Sequence, residues 1–512
     1  MKNSLSKTWL QYEAGKEYKR RIGLYATLRE NERFYRGDQW YAVPSGKLPR
    51  PIFNVVRRVV DYLTCSVTPE SVKISYLNER LPYCSEGDGE SARRISDILN
   101  ANARYRWERE KMTPKLYELT TNAAISGDGV LYTYWRADDV GDGVYEGDIT
   151  TEVIDSVNLF VADVNKRDLQ SQEYVILCGR ASVASLKREA KSNGATALEL
   201  SKIVSDDADE GEHGGDYSSF ELSGEDEEKA TYLIKFWRED GKVCFEKSTR
   251  NCVIARAKTP CTLYPVAYFN WFPTKNSFHG TSVVSGMVPN QKYINRAYAM
   301  VMKHMSDTAF SKVIYDKTRI PEWSNEVGEA IAAQGGVNVS DAVAVLGVGK
   351  LQDKYLDFLT NVINTTKELS NATETALGNV TPQNTSAILA IQESSRVPLK
   401  LVRAALYQCI EDLANIWADM TLAYYAEDRL VPMLDADGKY CSEALGLGKN
   451  AGLTFKAFVE VVDASTYNSA LKISILDKLL ENGHITLEQY LSNIPEDYVG
   501  NTQKLLGGGA NE

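Results

Sequence analysis

The chain has 512 residues, of which 43% are hydrophobic and 25% are charged. This length predicts more than one domain, and the composition excludes a collagen-like or low-complexity chain. The net charge of −11 argues against a general affinity for nucleic acid.

The negative charge is concentrated in one segment, residues 205–228. This segment contains no lysine or arginine and eleven acidic residues, which are Asp206, Asp207, Asp209, Glu210, Glu212, Asp216, Glu221, Glu225, Asp226, Glu227 and Glu228. The remainder of the chain is therefore neutral overall. Two interpretations stay open for the acidic segment: a solvated surface loop, or a docking site for a basic partner.

The cysteines and the apolar runs bear on the cellular compartment. Eight cysteines lie at positions 65, 84, 178, 244, 252, 261, 409 and 441. Without a Cys-x-x-Cys pair, they predict reduced thiols rather than a zinc site or a disulfide framework. The N-terminal residues lack an apolar signal core, and no run approaches 18 apolar residues. We therefore expect a cytosolic product with neither a signal peptide nor a membrane span.

The first 285 residues predict an α+β region. Apolar residues recur at helical spacing over 3–35, 54–67, 91–100, 113–126 and 182–192. Segments rich in β-branched and aromatic residues predict strands at 130–135, 149–154, 174–179, 232–237, 243–246 and 266–271. The strands are expected to form an antiparallel or mixed sheet.

Two long helices around a compact insert dominate the centre of the chain. They are predicted at 286–310 and 351–377, each with an apolar stripe. The insert, 311–350, predicts a small α/β unit whose segments are a strand at 312–315, a helix at 322–333 and β segments at 337–339 and 343–348. Because this unit has little core of its own, we expect it to complete a sheet with a neighbouring chain.

Each long helix also carries a polar face. Lys292, Arg296 and Lys303 fall on one line of the first helix. This basic line has two possible partners, the carboxylates of Asp353 and Asp357 on the second helix or a polyanion. Surface charges in weak ion pairs are the third possibility for each residue.

The C-terminal part predicts further helices and one returning strand. A loop at 378–385 precedes a helical run that continues to about 426, and Pro398 must kink or split this run. A strand is predicted at 453–462 and a helix at 468–481, ending at Gly483. Thr486 and Gln489 have the spacing of a capping box for a last short helix, and 506–512 is a flexible end.

No motif in the chain predicts catalysis. The four histidines, at 213, 279, 304 and 484, have no ligand spacing, so neither a metal nor another cofactor is expected. His279 is either a catalytic residue or, as this context favours, a loop or core histidine. The sequence Gly347-Val-Gly-Lys350 lacks the first glycine and the final Ser or Thr of a phosphate-binding loop. It predicts a hinge.

Five stretches in a fixed order characterise the chain more than any single motif. They are 31–40 (Asn-Glu-Arg-Phe-Tyr-Arg-Gly-Asp-Gln-Trp), 264–280 (Tyr-Pro-Val-Ala-Tyr-Phe-Asn-Trp-Phe-Pro-Thr-Lys-Asn-Ser-Phe-His-Gly), 290–296 (Asn-Gln-x-x-Ile-Asn-Arg), 376–387 (Ala-Leu-Gly-Asn-x-x-Pro-x-Asn-Thr-Ser-Ala) and 478–486 (Lys-Leu-Leu-Glu-Asn-Gly-His-Ile-Thr). In this order the chain resembles the portal proteins of tailed bacteriophages, which are head–tail connectors. The resemblance extends over about residues 20–495.

The resemblance implies a domain plan for an α+β, portal-type multi-domain subunit. Its parts would be an α+β wing (1–285), stem helix 1 (286–310), a small α/β clip (311–350), stem helix 2 (351–377), a tunnel loop (378–385), a long kinked wing helix with a returning wing strand (386–462), and a short helical C-terminal crown with a flexible tail (463–512). Such subunits form rings, typically of twelve, around a channel for double-stranded DNA.

The resemblance also implies partners and site residues. The partners would be other copies of the chain, DNA, the major capsid and scaffold proteins, the terminase large subunit and a head–tail adaptor. The protein would be made in the bacterial cytoplasm and would occupy the unique vertex of the virion. Channel-lining residues would be Lys292, Arg296, Lys303, Asp353, Asp357, Asn364, Asn371, Asn379, Thr381, Gln383 and Asn384. Clip contacts with adaptor and terminase would be Tyr315, Arg319, Trp323, Glu326, Asn338 and Asp341.

Two other function classes remain as alternatives. One is a different structural virion protein, of the capsid or adaptor type, although adaptors are much shorter. The other is a nucleic-acid-processing enzyme, which would need a carboxylate cluster that the sequence does not present.

Overall fold

The computed structural model of the protein describes residues 6–41, 43–44, 46, 48–69, 71–78, 86–140, 146–206, 228–309, 312–324, 326, 331–346, 353–370, 372, 397–425, 429–434, 439–444, 455–462, 473, 476–486 and 489–491. Ten α-helices have bounds within this part of the chain. They are α1 (Lys7–Arg21), α2 (Leu24–Arg36), α3 (Val55–Val67), α4 (Glu86–Arg109), α5 (Met112–Ser126), α6 (Val183–Ser192), α7 (Ala197–Leu200), α8 (Val283–Thr308), α9 (Asp353–Leu369) and α10 (Lys400–Tyr424).

The strands form five antiparallel sheets within the described residues. Their bounds are β1 (Ser71–Asn78), β2 (Asp128–Val140), β3 (Glu146–Ile154), β4 (Leu159–Val161), β5 (Tyr174–Ser182), β6 (Lys229–Glu239), β7 (Lys242–Ser248), β8 (Val253–Lys258), β9 (Val266–Asn270), β10 (Lys312–Tyr315), β11 (Val343–Leu346), β12 (Leu430–Leu434), β13 (Tyr440–Ala444) and β14 (Phe455–Val462). Three sheets are the pairs β1–β14, β10–β11 and β12–β13. The larger two have the orders β3-β2-β9 and β4-β5-β6-β7-β8.

Local sequence signals explain many of these boundaries. Asn54 caps α3 by accepting a hydrogen bond from the backbone N–H of Arg57 at 3.0 Å. Gly127 ends α5 in the left-handed conformation, with φ of 96°. A side chain there would strain the backbone and would also meet the Gly280 carbonyl oxygen, 2.7 Å from the added Cβ.

The largest hydrophobic core joins helices to three of the sheets. Helices α3, α4, α5, α8 and α10 pack in it with strands from the three-stranded sheet, the β1–β14 pair and the β12–β13 pair. Its largest fully buried side chains include Tyr76, Trp271 and Trp417. Smaller clusters lie on the five-stranded sheet, against α1 on one side and α6 on another. The combination of helices and antiparallel strands in the described residues fits the predicted α+β class.

Most elements predicted for the first 285 residues are present, with shifted ends. The predicted helix over 3–35 is two helices, because Gly23 takes the left-handed conformation between α1 and α2. The predicted helix at 91–100 is the longer α4. The predicted strands correspond to β2, β3, β5, β6, β7 and β9.

Five strands were not predicted from the sequence: β1, β4, β8, β12 and β13. Strand β1 pairs along its whole length with β14, which is the predicted returning strand. A period-two alternation of Val72, Ile74 and Tyr76 with polar residues could have indicated it. In β12, Pro432 argues against a strand, yet a proline is tolerated in a two-stranded edge pair.

The insert differs from its prediction at two places. No helix is present at 322–324, 326 and 331–333, the described parts of the predicted helix 322–333. Trp323 instead stacks on Tyr315, with ring centroids 5.2 Å apart, and the Ser324 hydroxyl accepts the Glu326 N–H. Such side-chain hydrogen bonds offer the backbone an alternative to the helix.

The second place is the predicted β segment at 337–339. It is a bend that leads into the 3-10 helix Val339–Ala342, because Gly335 and Gly336 both take positive φ just before it. The predicted β segment at 343–348 is β11 as far as Leu346. Within the described residues the insert is therefore a strand hairpin without an α-helix.

The C-terminal predictions are met where the structure describes them. Residues 473 and 476–481 are helical, Gly483 follows in the left-handed conformation, and the capping box joins Thr486 and Gln489. Pro398 lies in the 3-10 helix Val397–Leu399, directly before α10. The loop 378–385, residues 386–396, the hinge 347–350, the end of the predicted helix 351–377 beyond 372 and the tail 506–512 lie outside the described residues.

Candidate functional site at the long helix pair

The first half of α8 is anchored in the main core. Ser282 caps the helix by accepting the Ser285 N–H at 3.0 Å. Val284, Met287 and Ile294 are almost fully buried. A buried aliphatic side chain contributes about 1.5–3 kcal/mol, so this half of α8 is fixed within a single copy of the chain.

Asn31 ties the start of α8 to two other helices. Its side-chain amide lies 2.9 Å from the Ile125 carbonyl at the end of α5 and 2.9 Å from each of the hydroxyls of Ser282 and Ser285. Asn31 is buried on α2. The contacts set the position of α2, α5 and α8 relative to one another.

A second polar network continues along α8. The Gln291 side chain accepts the Val55 N–H at 3.0 Å and donates to the Phe53 carbonyl at 2.8 Å. It also donates to Asn295, which in turn donates to Gln39 at 2.6 Å. These three amides are buried, so each needs its partners. They fix α8 against the segment that joins α2 to α3.

A third network surrounds Asp128 at the start of β2. One carboxylate oxygen lies 2.7 Å from His279 Nδ1, and the other accepts the Asn270 side-chain amide at 2.8 Å and the Gly280 N–H at 2.7 Å. Asp128 and His279 are both buried. This arrangement is that of a core histidine that positions a loop, which was the favoured alternative for His279.

These networks bring three of the sequence stretches together. Residues 31–40 contribute Asn31 and Gln39, residues 264–280 contribute Asn270 and His279, and residues 290–296 contribute Gln291 and Asn295. They all converge on the base of α8. Three of the five stretches that characterise the sequence thus hold the start of the long helix to the rest of the fold.

Beyond this base, α8 packs on α9 and leaves a large apolar surface exposed. Ala297 and Val301 of α8 pack against Leu359 of α9, as the two apolar stripes predicted. Other apolar side chains of the pair are 37–74% exposed: Tyr293, Met300, Met302, Met305, Leu356, Phe358 and Leu369. One copy of the chain does not bury this surface.

Two cations of the predicted basic line of α8 pair with residues outside α9. Lys292 forms an ion pair with Glu30 of α2, and Lys303 pairs with Asp307 of its own helix at 2.9 Å. Arg296 is exposed and has no ion-pair partner among the residues that the structure describes. Lys292 and Lys303 therefore pair with Glu30 and Asp307 rather than with Asp357, whereas a contact with Asp353 stays a prediction.

The other predicted channel residues divide into two groups. On α9, Asp357 is exposed and Asn364 is half-buried. The side chain of Asp353 lies outside the part that the structure describes, and so do residues Asn371, Asn379, Thr381, Gln383 and Asn384.

The predicted clip residues lie in the β10–β11 hairpin and its connecting segment. Tyr315 and Trp323 are half-buried against each other, whereas Glu326, Asn338 and Asp341 are exposed. Arg319 donates to the carbonyls of Gly335 and Asn338, at 2.8 and 2.9 Å. Arg319 therefore holds the connecting segment in place. The exposed apolar residues Ile314, Val337, Val339 and Val345 surround this hairpin.

A buried lysine escaped the sequence analysis. Lys19 Nζ donates to the carbonyls of Val157 and Leu159, each at 2.7 Å, and it lies over the Phe160 ring at 3.9 Å. Burial lowers the pKa of Lys19 from 10.5 to about 7. It anchors α1 to the end of the 3-10 helix Ser156–Asn158. Since α1 has several similar lysines, no sequence signal singles this one out.

A buried ion pair also escaped the sequence analysis. Asp148 of β3 contacts Arg106 at 3.3 Å and Arg109 at 2.7 Å, and it accepts the Tyr425 hydroxyl at 3.0 Å. Burial raises the pKa of Asp148, but the two arginines outweigh burial and leave the pKa below its usual value. The pair joins α4, the three-stranded sheet and the end of α10.

The described residues offer no obvious setting for metal chemistry or membrane insertion. Within them, no group of three or more His, Cys, Asp or Glu side chains could hold a metal ion. Nor is any described helix both long and apolar enough to span a bilayer. Seven cysteines are described; all have free thiols, and five are buried.

An α+β body that anchors a helix pair with an exposed apolar face is typical of structural proteins that assemble with other chains. The family comparison is more specific. Residues 238–444 match the family described as phage P22-like portal protein. The matched region runs from the end of β6 to β13 and includes α8, the hairpin, α9 and α10. No curated protein matches the chain.

The match confirms the predicted resemblance to tailed-phage portal proteins. That family is structural rather than enzymatic, and its members occupy the capsid vertex of the virion. The stretches 264–280 and 290–296 lie inside the match, whereas 31–40 lies outside it. The match therefore supports a phage portal role for the chain.

Proposed function

We propose that the chain forms a closed ring at the unique capsid vertex and that double-stranded DNA passes through the ring during packaging and ejection. In this proposal α8 and α9 are the stem, and the β10–β11 hairpin is the clip. The loop 378–385 is the tunnel loop, α10 is the wing helix and the C-terminal helices are the crown. Twelve copies form the ring.

The exposed apolar surface of the α8–α9 pair carries this proposal. Met305, Phe358 and Leu369 are 61%, 50% and 74% exposed on helices whose other stripe is buried. A contiguous apolar surface of this kind marks a contact with another chain. In a head-to-tail ring every copy covers the exposed face of its neighbour, and the assembly closes.

The charges on α8 and α9 suit a passage that does not hold DNA tightly. Each lysine or arginine that contacts a phosphate strengthens binding by releasing counterions. Lys303 is neutralised by Asp307 on its own helix, and Asp357 adds an exposed negative charge on α9. A surface with few uncompensated cations lets DNA slide.

The hairpin is the proposed docking element for other proteins. Its exposed apolar residues, including Ile314 and Val345 at 55% and 63%, flank an edge of only two strands. A neighbouring strand can extend such an edge. We assign this element to the terminase large subunit during packaging and to the head–tail adaptor afterwards, while the wing contacts capsid and scaffold proteins.

Electron microscopy of the purified chain under assembly conditions tests the ring. We expect closed rings with a central hole. A phage whose copy of this chain lacks residues 313–348 tests the hairpin. Its heads should neither dock the terminase nor join a tail. Particles that package DNA and gain tails without this segment would overturn the assignment.

Thiol labelling of packaged particles tests the channel. With Asn379→Cys, trapped DNA should slow the reaction of the new thiol with a soluble reagent. The matched control is Lys73→Cys on β1, where the native side chain is 63% exposed. Equal reaction at Asn379→Cys with and without DNA would contradict the tunnel-loop assignment.

A further inference from the structure

A cavity of about 1010 Å³ lies between α2, the segment that follows it and the middle of α8. We name it the basic groove and define it by six lining residues, which are Arg29, Arg33, Trp40, Tyr41, Arg296 and Met300. A volume of this size accommodates several peptide side chains. It is far larger than a site for a single small ion.

The groove combines an apolar floor with a positive charge. Phe34 and Ala299 are buried beneath it, and Tyr41, Val43 and Met300 are about half exposed along it. Five cationic side chains line it, against the two carboxylates of Glu30 and Asp38. The groove is thus locally positive in a chain whose net charge is −11.

Part of this positive charge remains uncompensated within one copy. Lys292 pairs with Glu30, and Arg33 lies 3.8 Å from Asp38 and 3.3 Å from the centre of the Tyr41 ring. Arg296 has no carboxylate partner in the described part of the chain. A guanidinium group in such a setting favours a carboxylate, which it can bind through two parallel hydrogen bonds.

The chain contains a segment of complementary composition. Residues 205–228 hold eleven acids and no lysine or arginine, and three large apolar residues, Tyr217, Phe220 and Leu222, stand among the acids. Acidic side chains suit the cations of the groove, and the aromatic pair suits its floor. Few other stretches of the sequence offer both properties together.

The ends of this segment are fixed on the five-stranded sheet. Asp206 accepts the Thr231 N–H at 2.9 Å, and the Glu228 carbonyl accepts the Val183 N–H at 2.7 Å. The ~20 residues between them can extend about 30–35 Å from the sheet and return.

We propose that the acidic segment of one copy binds in the basic groove of the adjacent copy. The inference rests on the proposed ring, in which each copy offers one segment and one groove, so that every pair is satisfied. It also reassigns Arg296 from the channel to a contact between copies. The contact stabilises the ring at a site that adjoins the exposed apolar face of α8 and α9 at Met300.

Disulfide trapping between two different variants tests the contact. One variant carries Asp216→Cys and the other carries Met300→Cys, both with the exposed Cys65 and Cys441 replaced by serine. Met300→Cys leaves all five cations of the groove in place. After mixing, assembly and oxidation, a link between positions 216 and 300 found by peptide mapping joins two chains by construction.

In the control pair, Lys73→Cys replaces Met300→Cys. We expect the yield of the 216–300 disulfide to be about tenfold higher than the yield of the 216–73 disulfide in this control. Arg296→Glu in the Met300→Cys chain should reduce the yield about fivefold, and Arg296→Lys should retain most of it, because the attraction depends on charge. Salt at 0.5 M should also reduce it.

The outcomes separate the inference from the ring. Rings that form without a 216–300 link above the control overturn the inference and leave the ring standing. A third variant carries both Asp216→Cys and Met300→Cys. If the 216–300 link forms only within single chains of this variant and not between the two single-cysteine variants, the inference is also overturned. A native chain that stays monomeric under assembly conditions overturns both.

Discussion

The two halves of α8 have opposite surroundings. The first half, around Val284 and Gln291, is buried and has every amide of its network paired. In the described part of the chain, the second half, around Met302 and Met305, packs on α9 on one side and is exposed on the other. The first half is complete in a single copy, and in the proposed ring a neighbouring copy covers the second. Changes near the first half should therefore affect folding, and changes in the second should affect assembly.

The largest effect is expected in the body, at the buried ion pair. Asp148→Asn should lower the free energy of unfolding by about 3–5 kcal/mol, because it leaves buried Arg106 without its counter-charge. Urea denaturation of unassembled chain measures this. The ionised Asp148 carboxylate stabilises the folded chain fully at a pH above the pKa that Asp148 has in the unfolded chain. This stabilisation is lost as the pH falls through the lowered pKa that Asp148 has in the folded chain.

The control for this change is Asp307→Asn, which removes an exposed pair with Lys303 and should cost no more than about 1 kcal/mol. If Asp148→Asn and Asp307→Asn lowered the free energy of unfolding equally, burial would not distinguish the ion pair in the body from the exposed pair in the second half of α8.

A pH effect of intermediate size is expected at Lys19. Its folded pKa of about 7 lies below the usual 10.5, so between these values the unfolded chain holds a proton that the folded chain lacks. The native protein should therefore gain about 1.4 kcal/mol per pH unit above pH 7 relative to Lys19→Met. Unfolding curves at pH 7, 8 and 9 measure the difference.

Lys73→Met, on an exposed side chain of β1, is the matched control and should show no such divergence from the native protein. A constant difference between Lys19→Met and the native chain across this pH range would mean that the buried amine is not desolvated as its contacts indicate.

The next effect concerns assembly rather than folding. Phe358→Asp places a charge on the exposed apolar face of α9 and should weaken each contact between copies by about 2 kcal/mol or more. Native mass spectrometry should then show a loss of rings at an unchanged unfolding midpoint. Thr360→Asp, on an exposed residue of the same helix, controls for added charge. If Phe358→Asp lowered the stability of the monomer and the rings were retained, the result would contradict the distinction between the two halves of α8.

The smallest effect is expected in the hairpin. Arg319→Ala removes two hydrogen bonds to the segment before β11 and should cost about 1–2 kcal/mol locally. Limited proteolysis should cut the connecting segment faster, with the urea midpoint of the body unchanged. Lys317→Ala, on a neighbouring exposed residue, should behave like the native chain. A global loss of stability would show that the hairpin is part of the main core.

An element could be predicted from the sequence where the interactions that determine it lie within the element itself. Helices α3 and α5 could be predicted because their apolar stripes and end signals lie within the element itself. Strand β1 is held by β14, almost four hundred residues away, and the predicted helix at 322–333 is replaced by the contact of Trp323 with Tyr315. These contacts are set by tertiary structure, which a local pattern does not contain.

The same distinction applies to the site. The apolar faces of α8 and α9 could be predicted from their spacing. The partners of Lys292 and Lys303 could not, because Glu30 is distant in sequence and Asp307 is a second carboxylate, one turn away on the same helix as Lys303. The buried role of Lys19 depends on three carbonyls of another segment, and no residue type in the sequence marks them.

Native mass spectrometry of the purified full-length chain, under the conditions used for electron microscopy, tests the central claim most directly. We expect one dominant closed oligomer, of about twelve copies, whose images show a ring with a central hole. A chain that remains monomeric, or that forms only open aggregates of variable size, would contradict it.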